Sequence, residues 1–372
     1  MKTIQKKDSR EPLLRISKRD SMPMWQAVGV RLIGLAVALV ICAIIIYAIV
    51  KMNPLKVYGA MFEGAFGTSK RMWVTIRDTM MLLCIAVGLA PAFKMKFWNI
   101  GAEGQILVGG VVAAGCMIYW DTYLPTLPLL LIMVAGSAVA GAIWGFAPGF
   151  FKAKWNTNET LFTLMMNYIA IQLTSYFVAL WENPFGSSSV GVINPQTRIG
   201  WFPPIFGQMY TLNVVIVAIL VVAMYIYLNY SKHGFEIAVV GDSENTARYA
   251  AIDVKKVIVR TMVLSGAVCG VAGFLAVAGA SHTISTSTAG GQGFTAIIVA
   301  WLAKFNTFTM VPISALLVFL SKGSMEIASR YNLSDYVSSM ITGIILFFIL
   351  GSEFFIRFNL KFRSKKKEAS EA

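Results

Sequence analysis

Long stretches without a charged side chain constrain this chain more than any other feature. The clearest run over residues 32–50, 104–120, 160–181 and 305–321. Each is close to the roughly 20 apolar residues that cross a hydrocarbon layer about 30 Å thick. Residues 261–303 are also free of charge, and this stretch is long enough to hold two spans with a turn between them. The sequence therefore predicts an all-α polytopic membrane protein.

About ten transmembrane helices are expected. They lie near residues 31–50, 75–93, 104–119, 127–149, 159–181, 211–230, 258–280, 291–303, 309–328 and 335–356. With both termini on the cytoplasmic side, roughly three quarters of the 32 Lys and Arg residues fall inside, as the positive-inside rule requires. The net charge of +14 therefore indicates topology, and nucleic-acid binding is not expected.

Three segments follow from this count. Residues 1–30 form a basic cytoplasmic N-terminal segment, 31–356 form the transmembrane domain, and 357–372 form a basic cytoplasmic tail. The longest inner loop is 231–257. The two histidines lie far apart in sequence, and no metal site is predicted.

Two short polar motifs interrupt the apolar pattern. Gly101-Ala102-Glu103-Gly104 and Gly290-Gly291-Gln292-Gly293 share the form Gly-small-Glu/Gln-Gly, and each precedes an apolar helix. Irregular backbone at membrane depth is tolerated only against protein or a water-filled cavity. With the spans counted as above, the two helices run in opposite directions, as in inverted repeats whose broken helices meet near the midplane. A tight cytoplasmic turn with a solvated Glu103 is the alternative for the first motif.

One face of the predicted fifth span is polar. Glu159, Thr163 and Asn167 are spaced four residues apart, so they share one side of a helix. Such groups tend to face the bundle interior, where they could bind a solute or join helices by hydrogen bonds. Asn158 is placed to cap this helix.

The inner loop 231–257 carries a second helical pattern. Ser243 is a candidate N-cap and Glu244 an acid in the first turn, while Lys255 and Lys256 are expected in the last turn. The alanine-rich face between them predicts a short helix. Such a helix could dock in a groove on a partner; a helix lying on the membrane surface is the alternative.

The sequence contains no recognisable catalytic or nucleotide-binding motif. The chain contains no G-x-x-x-x-G-K-[ST] phosphate loop, no H-E-x-x-H motif and no Cys/His cluster. The chain is therefore not expected to be an enzyme, and any ATP hydrolysis belongs to a separate chain.

Four separated motifs resemble one known family. They are Phe97 to Gln105, Asn158 to Ile169, Val240 to Ile252 and Gly293 to Ile297. Together they resemble an ABC-transporter permease of the ribose/branched-chain amino-acid family, and most of all the long permease of bacterial nucleoside importers. Three residues depart from the usual pattern: Lys96 stands where a small residue is common, Ser243 replaces Asn, and Ala251 replaces Gly.

The resemblance implies an importer subunit of the bacterial inner membrane that forms half of a pathway for nucleosides or related small polar solutes. It implies a second permease chain, different or identical, two cytoplasmic ATPases, a substrate-binding lipoprotein or periplasmic protein, and no cofactor of its own. The ATPases would contact a coupling segment that contains Gly241, Glu244, Ala247, Arg248, Tyr249 and Ile252. The candidate pathway residues are Asn99, Glu103, Gln105, Thr163, Asn167, Gln292, Phe294 and Thr295.

Other functions remain open at this point. An ion-coupled secondary transporter would need a titratable group within the membrane, and Glu103 is the one placed to serve. A membrane-embedded enzyme lacks a catalytic set. Sugar or branched-chain amino-acid cargo also remains possible.

Overall fold

The computed structural model describes residues 14–19, 22–51, 53–332 and 334–362, so the outer ends of both predicted basic segments lie outside the described residues. The helices are α1 Met24–Val50, α2 Pro54–Phe66, α3 Ser69–Lys94, α4 Ala102–Tyr119, α5 Thr126–Trp155, α6 Glu159–Leu180, α7 Thr211–Tyr230, α8 Lys232–Asp242, α9 Glu244–Tyr249, α10 Val254–Ala276, α11 Gln292–Leu302, α12 Thr307–Arg330 and α13 Asp335–Arg357. A π-helical turn, Val277–Ser281, extends α10. Two short strands, β1 Leu14–Lys18 and β2 Phe358–Phe362, pair antiparallel.

Nine of the described helices are long and apolar enough to cross a membrane. The prediction of an all-α polytopic membrane protein is confirmed. The predicted span at 291–303 is not a full crossing, because α11 has only 11 residues. At 1.5 Å per residue it is about 16 Å long, roughly half the thickness of a bilayer core.

The described residues on the N-terminal side of Ala65 and on the C-terminal side of Lys322 form one compact unit. Within it, α1 packs along α13, and Gly34 allows close approach because a Cβ there would lie 2.9 Å from Cβ of Ser352. An ion pair joins Arg31 Nη2 to Glu353 Oε2 at 2.9 Å. The two strands pair within the same unit, with Leu14 opposite Phe362.

Residues 65–322 form the second compact unit, whose core is built from α3, α4, α5 and α10. Glycines let α5 and α10 approach at backbone distance: a Cβ on Gly141 would overlap the carbonyl oxygen of Gly266, and one on Gly270 would overlap that of Ser137. Small residues at crossings are the usual basis of helix packing in membranes, where dispersion contacts replace the hydrophobic effect. α3, α4 and α10 are the most buried of the long apolar helices in this unit, whereas α5 is mostly exposed on its other faces.

Candidate functional site

The chain leaves helical geometry between α3 and α4. Lys96, at φ +61°, turns the backbone just after α3 ends, and α4 begins at Ala102. Side chains of α6 satisfy the broken backbone: Thr163 Oγ1 accepts from the Ile100 amide at 3.2 Å. Asn167 accepts from the Gly104 amide and donates to the Ile100 carbonyl, both at 2.9 Å. The bend is thus paired within protein, as buried backbone groups require.

A second polar group holds the bend against α10. The side chain of Asn99 accepts from the Gly101 amide at 3.0 Å and donates to Ser265 Oγ at 3.1 Å. Gln105 Oε1 lies 3.5 Å from Asn99 Nδ2. All three side chains are fully buried or nearly so. Ser265 was not among the predicted residues, because a serine in an apolar stretch gives no signal of its own.

Glu103 joins the two predicted motifs. Its Oε1 accepts from the Gly293 amide at 2.7 Å, and the amides of Gly291 and Phe294 also interact with the carboxylate. The carboxylate therefore lies at the N-terminus of α11, where the helix dipole favours a negative charge. Gly293 must be small, because a Cβ there would lie 2.9 Å from the Glu103 amide nitrogen. Glu103 is buried against protein and is not a solvated residue of a turn.

The two helices that begin at these motifs run in opposite directions. α11 starts beside the first turn of α4, and its far end reaches the segment that precedes α4. There Trp301 lies 5.6 Å from Trp98 and 6.2 Å from Phe93, measured between ring centroids. This aromatic cluster was not predicted, since its members are far apart in sequence.

The remaining candidates lie on α11 itself. The side chain of Phe294 is 48% exposed, and those of Gln292 and Thr295 are half-buried. Gln292 Oε1 is buried without a hydrogen-bond partner among the described residues. The eight predicted residues thus separate into two groups. The supporting group holds the bend and the start of α11, and it consists of Asn99, Glu103, Gln105, Thr163 and Asn167. The open face of α11 consists of Gln292, Phe294 and Thr295.

A hydroxyl-rich loop leads into α11. Between the π-helical turn and α11, Ser285, Ser287 and Thr288 hydrogen-bond mainly to one another and to the loop backbone. Gly290 and Gly291 then take φ values of +57° and +75°, which start α11 in its observed direction. This loop was not predicted as part of the site, because serine and threonine are tolerated in apolar helices.

His282 contacts the outer loop 182–210 and holds it against the end of α10. Its ring stacks on Trp201 with centroids 3.8 Å apart and an interplanar angle of 5°. Its carbonyl accepts from the Ile193 amide at 2.8 Å. Burial lowers the pKa of His282 to about 4, so the imidazole is neutral at pH 7. A neutral ring suits the stacking, and the contact is structural.

The inner loop folds as two helices and a turn. Ser243 caps α9, as predicted, by accepting from the Thr246 amide at 3.3 Å. The predicted end of this helix was wrong. Lys255 and Lys256 were expected in its last turn, but α9 ends at Tyr249 and the two lysines lie in the first turn of α10. The reason is local, because Asp253 caps α10 by accepting from the Lys256 amide, which restarts the helix.

The coupling candidates have distinct surroundings. Ala247 is fully buried, Tyr249 is 92% exposed, and Glu244 pairs with Arg248 across one turn at 3.7 Å. The Ile252 amide donates to the Ala247 carbonyl at 2.9 Å, which closes the turn. Ala251 has φ +57°, a conformation that glycine adopts without strain.

Gly241 connects this segment to the bend. A Cβ at Gly241 would overlap the carbonyl oxygen of Lys94, the last residue of α3. Only glycine allows α8 to approach the end of α3 this closely. The coupling segment therefore touches the chain immediately before the bend at Met95–Gly101.

Nine apolar helices among the described residues define the class of the protein, a multi-pass membrane protein, and the buried polar bend before α4 lies within it. The chain belongs to the family described as the branched-chain amino acid transport system permease component, whose model matches residues 72–350. It is a permease subunit of an ABC importer, as the resemblance of its motifs predicted. Proteins of this class work with an ATPase and a substrate-binding protein.

Characterised relatives cover nearly the whole chain. A guanosine ABC transporter permease of Bacillus subtilis is 32% identical over 84% of this chain and 90% of its own length. A glucose ABC transporter permease of Haloferax volcanii is 29% identical over 93% of both chains. A nucleoside ABC transporter permease of Lactococcus lactis is 28% identical over 92% of this chain and 95% of its own.

Proposed function

We propose that this chain forms half of a membrane pathway for nucleosides or related small polar solutes. The observation that carries the proposal is the open face of α11, which presents the exposed ring of Phe294 and the half-buried side chains of Gln292 and Thr295 close to the buried bend before α4. Small-molecule sites combine apolar or aromatic walls with a few polar groups that fix orientation. A second permease chain, either a different one or a second copy, would supply the other half.

The chemistry of α11 fits a nucleoside. The Phe294 ring could stack on a base, a contact that any base can make. Gln292 and Thr295 could hydrogen-bond to base edges or ribose hydroxyls. Relatives that are named for guanosine and for nucleosides favour this cargo, whereas the relative named for glucose keeps a sugar as the second candidate.

Energy would come from ATP hydrolysed by a separate chain, since this sequence lacks a phosphate loop. We propose that the ATPase contacts α9 through the exposed side chains of Arg248 and Tyr249. Movement of α9 and α8 would pass through Gly241 to the bend, and from Glu103 to α11. The permease itself would use no cofactor.

Cargo would be delivered from outside the bacterial inner membrane by a lipoprotein or periplasmic binding protein. Ion coupling is the less favoured mechanism, because the Glu103 carboxylate is bound by backbone amides at the start of α11. A proton relay needs a carboxylate that is free to exchange its partners.

Reconstitution with the ATPase, the second permease and the binding protein tests the mechanism. We expect uptake of labelled guanosine into proteoliposomes to require ATP hydrolysis and to persist when an ionophore dissipates the proton gradient. Uptake that stops with the gradient while ATP is maintained would favour the ion-coupled mechanism. Competition by unlabelled adenosine and glucose then separates the two candidate cargoes.

The Phe294→Ala variant tests the open face of α11. We expect guanosine uptake to need a higher concentration for half-maximal rate, while the thermal unfolding temperature stays unchanged, because a half-exposed ring contributes little packing. Phe347→Ala, an exposed phenylalanine on α13, is the matched control and should leave uptake unchanged. Equal behaviour of the two variants would remove Phe294 from the pathway.

A further inference from the structure

A recess of about 420 Å³ lies between the end of α5 and the first turns of α10. Carbon atoms form its walls: the ring of Phe150, the methyl of Ala153 and the side chain of Val259. It is separate from the bends and from the open face of α11, since none of their residues lines it.

Four cationic side chains surround this recess, namely Lys154, Lys255, Lys256 and Arg260. Asp253 offsets part of the charge, because its Oδ2 pairs with Lys256 Nζ at 3.2 Å. A net positive charge remains around an apolar wall. An ammonium or guanidinium group on a hydrocarbon surface is best satisfied by an anion that brings its own hydrocarbon.

Aromatic side chains place the recess at a membrane–water interface. Phe146, Phe151 and Trp155 are partly exposed on the same end of α5, and Lys154 Nζ lies 4.7 Å from the Trp155 ring centroid. Tryptophan and tyrosine gather at headgroup level in membrane proteins, so Trp155 is the side chain that indicates the interface. The positive-inside rule assigns this end of α5 to the cytoplasmic leaflet.

We propose that this recess binds an anionic phospholipid of the cytoplasmic leaflet. The phosphate would lie among Lys154, Lys255 and Arg260, and an acyl chain would cover Phe150 and Val259. Basic pockets between transmembrane helices on this side suit anionic headgroups. A free phosphate would gain nothing from the apolar wall, which is why the geometry favours a lipid.

Such a lipid would border the coupling segment. Lys154 and Lys255 also line an adjoining cavity of about 560 Å³ that is bounded by Glu244, Arg248 and Ile252. The bound headgroup would therefore restrain the turn between α9 and α10. Lipid binding itself is independent of the cargo and of the proposed pathway, so the two proposals can fail separately.

Native mass spectrometry of the full-length chain in detergent tests the proposal. We expect phosphatidylglycerol to give more abundant adducts than phosphatidylcholine of the same acyl composition. The double variant Lys154→Gln/Lys255→Gln should reduce phosphatidylglycerol adducts at least about tenfold, since each basic residue near an anionic surface contributes about fivefold. Lys232→Gln, an exposed lysine at the start of α8, is the matched control and should change little.

A competition experiment and a photolabelling experiment identify the chemical class of the ligand. Glycerol 3-phosphate, which has the anion but no chain, should not displace the lipid at concentrations where lysophosphatidylglycerol does. A photoreactive phosphatidylglycerol should label peptides that contain Phe150 or Val259. Equal loss in the Lys232→Gln control, displacement by glycerol 3-phosphate alone, equal binding of phosphatidylcholine or labelling elsewhere would each overturn the proposal.

Discussion

Glu103 and Gln292 hold the same position in two matching motifs, yet their surroundings differ. Glu103 is 8% exposed, and its carboxylate accepts from the Gly293 amide. The amide oxygen of Gln292 has no partner among the described residues. The first motif thus satisfies its polar side chain by holding helices together, whereas the second contains a buried polar atom that no described residue satisfies.

Their glycines differ only in part. Gly293 is limited by space as Gly104 is, because a Cβ there would lie 2.9 Å from the Glu103 amide nitrogen. Gly101 and Gly104 are required by space: a Cβ at Gly104 would lie 3.0 Å from Asn167 Oδ1 and 3.1 Å from Cβ of Ala170. Gly290 and Gly291 are required by conformation, because both have positive φ and a Cβ on Gly291 would meet open space. The two motifs therefore share a last glycine that is limited by space, and they differ at the residues before it, where the second needs backbone with positive φ.

The largest effect is expected at Asn167. Replacing it by alanine leaves the Gly104 amide and the Ile100 carbonyl unpaired in a buried site. Each unpaired group costs about 1–3 kcal/mol, so the free energy of unfolding should fall by at least about 2 kcal/mol. Thermal unfolding in detergent measures it, and uptake should fall with it. Asn229→Ala, an exposed asparagine on α7 with one hydrogen bond to its own helix, should stay near wild type.

Glu103→Ala should follow in magnitude. It removes a charged acceptor from the start of α11, which corresponds to about 1.5–3 kcal/mol. Glu103→Gln keeps one acceptor oxygen and should recover part of the loss in thermal stability. If the alanine variant unfolds at the wild-type temperature, Glu103 does not hold α11 and the scaffold assignment is wrong.

Glycine substitutions distinguish a limit on side-chain volume from a limit on backbone conformation. Gly291→Ala should cost about 1 kcal/mol of stability because φ +75° is strained for alanine, and Gly291→Asn should cost less because asparagine tolerates this conformation. Gly104→Asn should be at least as damaging as Gly104→Ala, since the limit there is volume. Thermal unfolding of the four variants measures both orders. If asparagine is more stable than alanine at position 104, and less stable than alanine at position 291, the limits of volume and of conformation are assigned to the wrong glycines.

The sequence predicted the membrane class and most spans because a charge-free run of about 20 residues is rarely stable except as a helix that crosses a membrane. It missed the shortness of α11, since the charge-free stretch 261–303 contains hydroxyl residues that mark no boundary. The turn after Tyr249 was missed because Asp253 was not recognised as a cap. Each of these errors concerns where a helix ends, which depends on local hydrogen bonds.

The roles within the candidate site could not be separated by spacing. Asn167 reaches a backbone 63 residues away, and Glu103 reaches one 190 residues away. Periodicity placed Thr163 and Asn167 on one helix face but could not tell a helix contact from a solute contact. To make that distinction, the hydrogen-bond partner of each polar atom must be known, and only the packed structure shows it.

Gln292→Leu should have the smallest effect on stability and gives the sharpest test of the contrast. The amide oxygen makes no hydrogen bond among the described residues, so removing it should change the free energy of unfolding by less than about 0.5 kcal/mol. Uptake of guanosine should nevertheless weaken, because the variant also removes the amide NH2 donor of Gln292 from the half-buried side chain next to Phe294. Gln105→Leu, at the buried bend, should instead lower thermal stability because Asn99 loses a neighbour. A Gln292→Leu protein that unfolds early would show that Gln292 belongs to the scaffold, and one that transports normally would remove Gln292 from the pathway.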